Sequence, residues 1–137
     1  MSPAAHARSV AAIADAVRAG TLRARAVLDH HLDRIARLDP PIGAFVFLDA
    51  DGARAAADAV DAAVARGEDP GCLACVPFGV KELEDVAGWP HPRGAVVFKD
   101  VIAETTSTHV TRLRRAGAVP VGLTASPEMG AASFTAS

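Results

Sequence analysis

Apolar residues Val10, Ile13, Ala14 and Val17 recur at helical spacing between Ser9 and Ala19, and Gly20 stands where a helix would stop. This pattern predicts an amphipathic helix. Thr21 is placed to cap a second helix, whose apolar face carries Ala24, Leu28, His31, Ile35 and Leu38 before Pro40 and Pro41 end it. The two helices are expected to pair in antiparallel fashion. The run AFVFLD over 44–49 predicts a short strand, and Asp51-Gly52 turns the chain into a third helix with Ala53, Ala56, Ala57, Val60 and Val64 inward. After the loop GEDPGCLACV, strands are expected over 76–81 and 95–98. A helix follows over 106–116, closed by Gly117, and then a last buried strand over 118–123.

Helices alternating with short apolar strands indicate an α/β fold, a sheet covered by helices. No repeat, low-complexity tract or linker interrupts the pattern. The final stretch, TASPEMGAASFTAS, is a small-residue loop with no element to anchor it. The 137 residues are therefore expected to be part of a longer domain, with a helix pair over 1–39 and the first part of an α/β core over 40–137.

Composition narrows the functional classes. Half of the residues are hydrophobic, mostly Ala and Val, with five Phe, one Trp and no Tyr, so the core must be built from small side chains packed closely. Little aromatic surface remains for stacking bases or sugars. Fourteen Lys and Arg against sixteen Asp and Glu give a net charge of −2, without the basic footprint that phosphate binding requires, so direct nucleic-acid binding is not expected. Arg8, Asp15 and Arg18 interrupt the N-terminal apolar positions as no secretory signal would tolerate, and no run is long enough to span a bilayer. A cytoplasmic protein without a membrane partner is expected, with homo-oligomerisation left open. Cys72 and Cys75 form a lone CLAC. Zinc would need two further ligands that His6, His30, His31, His91 and His109 do not supply at suitable spacing, so small buried thiols are favoured and no metal or cofactor is expected.

Among single residues, His31 reads as a satisfied histidine at the core boundary, and Arg112, Arg114 and Arg115 as a solvated helix face. Lys81 stands out. It follows the apolar residues Pro77 to Val80 and precedes the acidic turn ELED. A lysine buried at a strand end favours the neutral amine, which can exchange protons with a hydroxyl nucleophile attacking an amide. The alternative is an ordinary surface ion pair with Glu82, Glu84 or Asp85, and spacing alone favours that alternative.

The segments AFVFLDADGARAAADAVD, VPFGVKELEDVAGWP and VTRLRRAGAVPVGLTASPEMG, in that order and spacing, resemble the amidase-signature family of amide hydrolases. The VPFGVKE segment is the most specific. The resemblance implies the N-terminal part of the amidase-signature fold, a mixed sheet covered by helices with an N-terminal helix pair. It also implies a Ser-Ser-Lys triad in which Lys81 is the base, one serine relays the proton, and the other attacks a carboxamide to give an acyl-enzyme, then carboxylate and ammonia. The Gly-Gly-Ser-Ser-Gly-Gly type of segment that carries both serines, and with them the oxyanion hole, is not among these residues. Ser126, Ser133 and Ser137 lack flanking glycines and are not expected to substitute.

The SPEMGAASFT loop is a candidate wall for a pocket taking a small-molecule amide, with Met129, Ala131 and Ser133 as liners; a plain surface loop is the alternative. Two departures from the family pattern stand out. Glu82 replaces the common Asp after the lysine, and WPHPRGAVV places His91 and Arg93 where small residues are usual. Arg93 faces either a carboxylate-bearing substrate or, as favoured, solvent. Two other functions stay open: a non-catalytic truncated or partner-binding fragment, and the N-terminal part of the transamidating subunit of a glutamyl-tRNA amidotransferase. The loop PEMGAASFTAS favours the stand-alone amidases.

Overall fold

The computed structural model describes residues 9–132. Helices α1 (Val10–Arg18), α2 (Ala24–Leu38), α3 (Ala50–Ala65) and α4 (Thr108–Arg115) accompany strands β1 (Phe45–Leu48), β2 (Pro77–Lys81) and β3 (Val119–Thr124). The strand order is β1-β3-β2, with β1 antiparallel and β2 parallel to the central β3. This is the mixed, helix-covered sheet expected from the sequence.

Ser9 begins α1 by accepting the Ala12 N–H on its hydroxyl, and Gly20, at φ +67°, ends it as expected. The start of α2 differs from expectation. The Thr21 hydroxyl turns back to the Ala16 carbonyl, and the cap comes from α3, where the Asp61 carboxylate accepts the N–H groups of Ala24 and Arg25 at 2.8 and 3.1 Å. A long-range carboxylate thus replaces the local hydroxyl. The buried face of α2 is Ala24, Val27, Leu28 and Leu32, while Leu38 is exposed. His31 is half-buried, its Nδ1 2.8 Å from the Val27 carbonyl, a satisfied boundary residue. The most extensive helix–helix packing is between α2 and α3 rather than between the first two helices.

Helix α3 also starts slightly early. Asp49 caps it by accepting the Gly52 N–H, and its second oxygen accepts the Trp89 indole N–H at 3.0 Å. Buried Ala53 and Ala57 let α3 lie close to α2 and the sheet.

Two apolar clusters pack around the sheet. One joins Ile13, Val17, Val27 and Leu28 from the helices with Val119 and Val121 of β3. The other joins Val80, Val86, Trp89, Val110 and Leu123. All of β3 before Thr124 is buried. Pro120 removes one ladder donor from this central strand, and the β2–β3 register shifts between Phe78, which faces Pro120, and Gly79, which faces Gly122, the kind of irregularity at which an interior proline is tolerated.

The expected strand over 95–98 is a single 3₁₀ turn, Val96–Phe98, with Val96 and Val97 largely exposed. Arg93 and Gly94 both take positive φ, curling the backbone before it can extend, and among the described residues the run meets no partner strand. Only its flanks pair, through a bridge between Pro90 and Ile102. Among the described residues, no helix is long and apolar enough to cross a membrane.

Candidate active site

Parallel strands β2 and β3 end together, with Lys81 opposite Thr124. Such a paired C-terminal end opens a crevice where loops converge. Three loops meet here. Residues 82–86 leave β2, residues 125–131 leave β3, and residues 89–95 pack between them. Their contacts are close: the Met129 N–H donates to the Arg93 carbonyl at 2.9 Å, and a Cβ on Gly94 would lie 2.7 Å from the Ser126 carbonyl oxygen.

Lys81 is exposed, contrary to the buried lysine expected. Of the residues before it in β2, only Val80 is buried; side chains alternate along a strand, so Gly79 and Lys81 share the uncovered face. Nor does Lys81 form the surface ion pair that was the alternative. Its Nζ donates to the Ala125 carbonyl at 2.8 Å. The neighbouring carboxylates have other partners. Glu84 accepts from the Ser107 hydroxyl at 2.8 Å, and Glu82 is almost completely buried, its Oε1 accepting the Ser126 N–H at 2.6 Å and the Ser126 hydroxyl at 3.2 Å. The Glu82 N–H extends the ladder to the Thr124 carbonyl.

The segment WPHPRG is more than a solvent loop. His91 is 3% exposed, its Nδ1 2.7 Å from an Asp85 oxygen without the alignment of a hydrogen bond, and its Nε2 accepts from Arg93 Nε. The exposed Arg93 guanidinium lies over the Phe98 ring, 5.9 Å from its centroid. A cavity of about 470 Å³ opens beside this segment, lined by Val46, Phe47, Glu82, Pro90, Val96 and Ser126 among others. Met129, at φ +51°, and Ala131 are exposed on the 125–131 loop. Ser133 and Ser137 lie outside the described residues. Ser126 is buried against Glu82.

Both cysteines are free thiols. Cys75 is buried as expected, donating to the Ala24 carbonyl at 3.2 Å, whereas Cys72 is exposed. Arg112, Arg114 and Arg115 are exposed, the solvated face expected of α4.

The Amidase family model matches residues 26–137. The chain is 39% identical over 128 residues to a glutamyl-tRNA(Gln) amidotransferase subunit of Acidothermus cellulolyticus, an alignment covering 93% of this chain and 25% of that one. It is 37% identical over 122 residues to an indoleacetamide hydrolase of Bradyrhizobium diazoefficiens, covering 89% of this chain and 23% of the relative. In structure it resembles the native peptide amidase from Stenotrophomonas maltophilia, with a TM-score of 0.82 at 29% identity over 92% of this chain and 26% of that one. The chain belongs to the amidase-signature family and spans about a quarter of the length of the relatives it matches.

Proposed function

We propose that Lys81 is the proton-transfer lysine of an amidase that hydrolyses a carboxamide to carboxylate and ammonia. The observation carrying this reading is the placement of the Lys81 amine. It sits at the shared end of two parallel strands, held by the Ala125 carbonyl rather than by a carboxylate. An amine not committed to an ion pair remains available to a hydroxyl. In the proposed cycle Lys81 accepts a proton through a relay serine as a second serine attacks the carbonyl. The C–N bond then breaks, and the nitrogen leaves as ammonia with a returned proton. Water cleaves the acyl-serine ester to give the carboxylate and restore the hydroxyl.

No glycine-flanked serine pair occurs in these 137 residues. We propose that they are the lysine-bearing part of a longer amidase-signature domain, a reading supported by the quarter-length coverage of the relatives, and that alone they do not turn over amides. Met129, Ala131 and Ser133 are proposed to wall the substrate pocket. Two free thiols accord with a reducing cytoplasm.

The full-length protein, incubated with primary carboxamides, is expected to release ammonia and to trap as an acyl-serine detectable by peptide mass spectrometry. A coding sequence without a glycine-serine segment, or the absence of ammonia from any carboxamide, would sink the reading. Identity of 39% with one component of a glutamyl-tRNA(Gln) amidotransferase supports a second reading, in which the ammonia serves a transamidating assembly; glutamine-dependent ammonia production requiring partner chains would favour it.

A further inference from the structure

One peptide unit, Ala125–Ser126, is held from both ends. Its carbonyl oxygen accepts the Lys81 amine at 2.8 Å, and its N–H donates to Glu82 Oε1 at 2.6 Å. A peptide unit is planar, so fixing its N–H direction fixes the direction of its carbonyl. The second bond to Glu82, from the Ser126 hydroxyl at 3.2 Å, prevents the unit from pivoting about the first. Glu82 and Ser126 are each 3% exposed, so water cannot readily replace either partner.

We propose that Glu82 is a positioning residue for Lys81, acting through the Ala125–Ser126 peptide unit. The inference rests on the proposed role of Lys81 as the proton-transfer amine. A negatively charged acceptor on the N–H also polarises the amide, strengthening its carbonyl as an acceptor for the lysine. Consecutive residues of one strand end thus grip the same peptide from opposite sides. The Glu82 side chain reaches Ser126 while its backbone stays in the ladder to Thr124.

The test is limited reductive methylation of the full-length protein, comparing Lys81 with exposed Lys99 by peptide mass spectrometry. Glu82→Gln keeps the length and one acceptor oxygen but removes the charge; Glu82→Ala removes the grip. Both are expected to raise the Lys81-to-Lys99 labelling ratio, Ala more than Gln, by about three- to tenfold, the equilibrium worth of one hydrogen bond. In turnover, Glu82→Gln is expected to lower kcat with KM little changed. Ratios within twofold of wild type in both folded variants overturn the proposal.

Should the variants fail to fold, wild-type protein decides by NMR. The Ser126 amide shift is expected to follow the titration of Lys81 with the same midpoint, and an amide that ignores that titration overturns the proposal. Labelling and NMR need no turnover. Activity retained in Lys81→Ala, with the coupling intact in the wild-type protein, would remove the proton-transfer role of Lys81 alone, whereas activity lost in Lys81→Ala with no coupling in the wild-type protein would remove only the role of Glu82.

Discussion

Burial, reinforced by the nearby Asp61 carboxylate, pushes the Cys75 thiol up to about 12. At about pH 8 only on the order of one thiol in ten thousand would be thiolate, the reactive form. Cys72 is exposed. A thiol reagent at that pH is expected to label Cys72 rapidly and Cys75 only after denaturation; equal native labelling of both would contradict the buried placement. Single residues were the least legible part of the sequence. The identity of Lys81 was conspicuous, but the pattern PFGVK does not tell which face of a strand its neighbours cover, and Lys81 shares the uncovered face with Gly79. Glu82 registered only as a departure from the common Asp, since its partner Ser126 lies 44 positions away. His91 had a signal in the sequence, a bulky residue where small ones are usual, yet its burial beside Asp85 depends on how the 89–95 loop folds back.

At the scale of elements, the start of α2 depends on α3. The Asp61 carboxylate satisfies two N–H groups that no local residue serves. Asp61→Ala is expected to destabilise the protein by about 1–2 kcal/mol, the usual worth of a lost cap, measured by urea unfolding with Trp89 fluorescence. A loss below a few tenths would mean that water caps the helix equally well. The same pair of helices is laced by Asp29, which accepts from Arg25 at 2.9 Å and Arg54 at 3.1 Å. Partial burial alone would raise the Asp29 carboxyl, but the bonds from Arg54 and Arg25 outweigh it and hold it below its ordinary value. A depressed folded-state pKa contributes stability above the unfolded value, and that contribution is lost as pH falls through the folded one. The stability gap between wild type and Asp29→Asn should therefore shrink on acidification, and also with added salt, because the site is well exposed. A gap constant with pH would show that the pair is energetically silent. Helices were legible because their 3.6-residue period extends over two or more turns. The run over 95–98 has too few residues to carry a period, and Arg93 and Gly94 turned it into a 3₁₀ turn.

For the molecule as a whole, the sheet brings separate segments of the chain to one mouth, and β3 is its centre. The α/β class was readable from alternating elements, whereas strand order depends on contacts that no local pattern encodes. Close strand approach is enforced at Gly122, where a Cβ would lie 2.1 Å from the Phe47 carbonyl oxygen. Gly122→Ala is expected to cost about 1–3 kcal/mol, as overpacking does, read from the denaturation midpoint; a neutral effect would contradict the β1–β3 pairing. The mouth that this sheet builds is what gives Lys81 its proposed chemistry. The decisive measurement is kcat/KM for amide hydrolysis by Lys81→Ala in the full-length protein, a substitution at an exposed position that leaves the core intact. A fall of about a hundredfold or more is predicted, the contribution of a general base, with an unchanged unfolding midpoint. Activity within a few-fold of wild type would contradict the role assigned to Lys81.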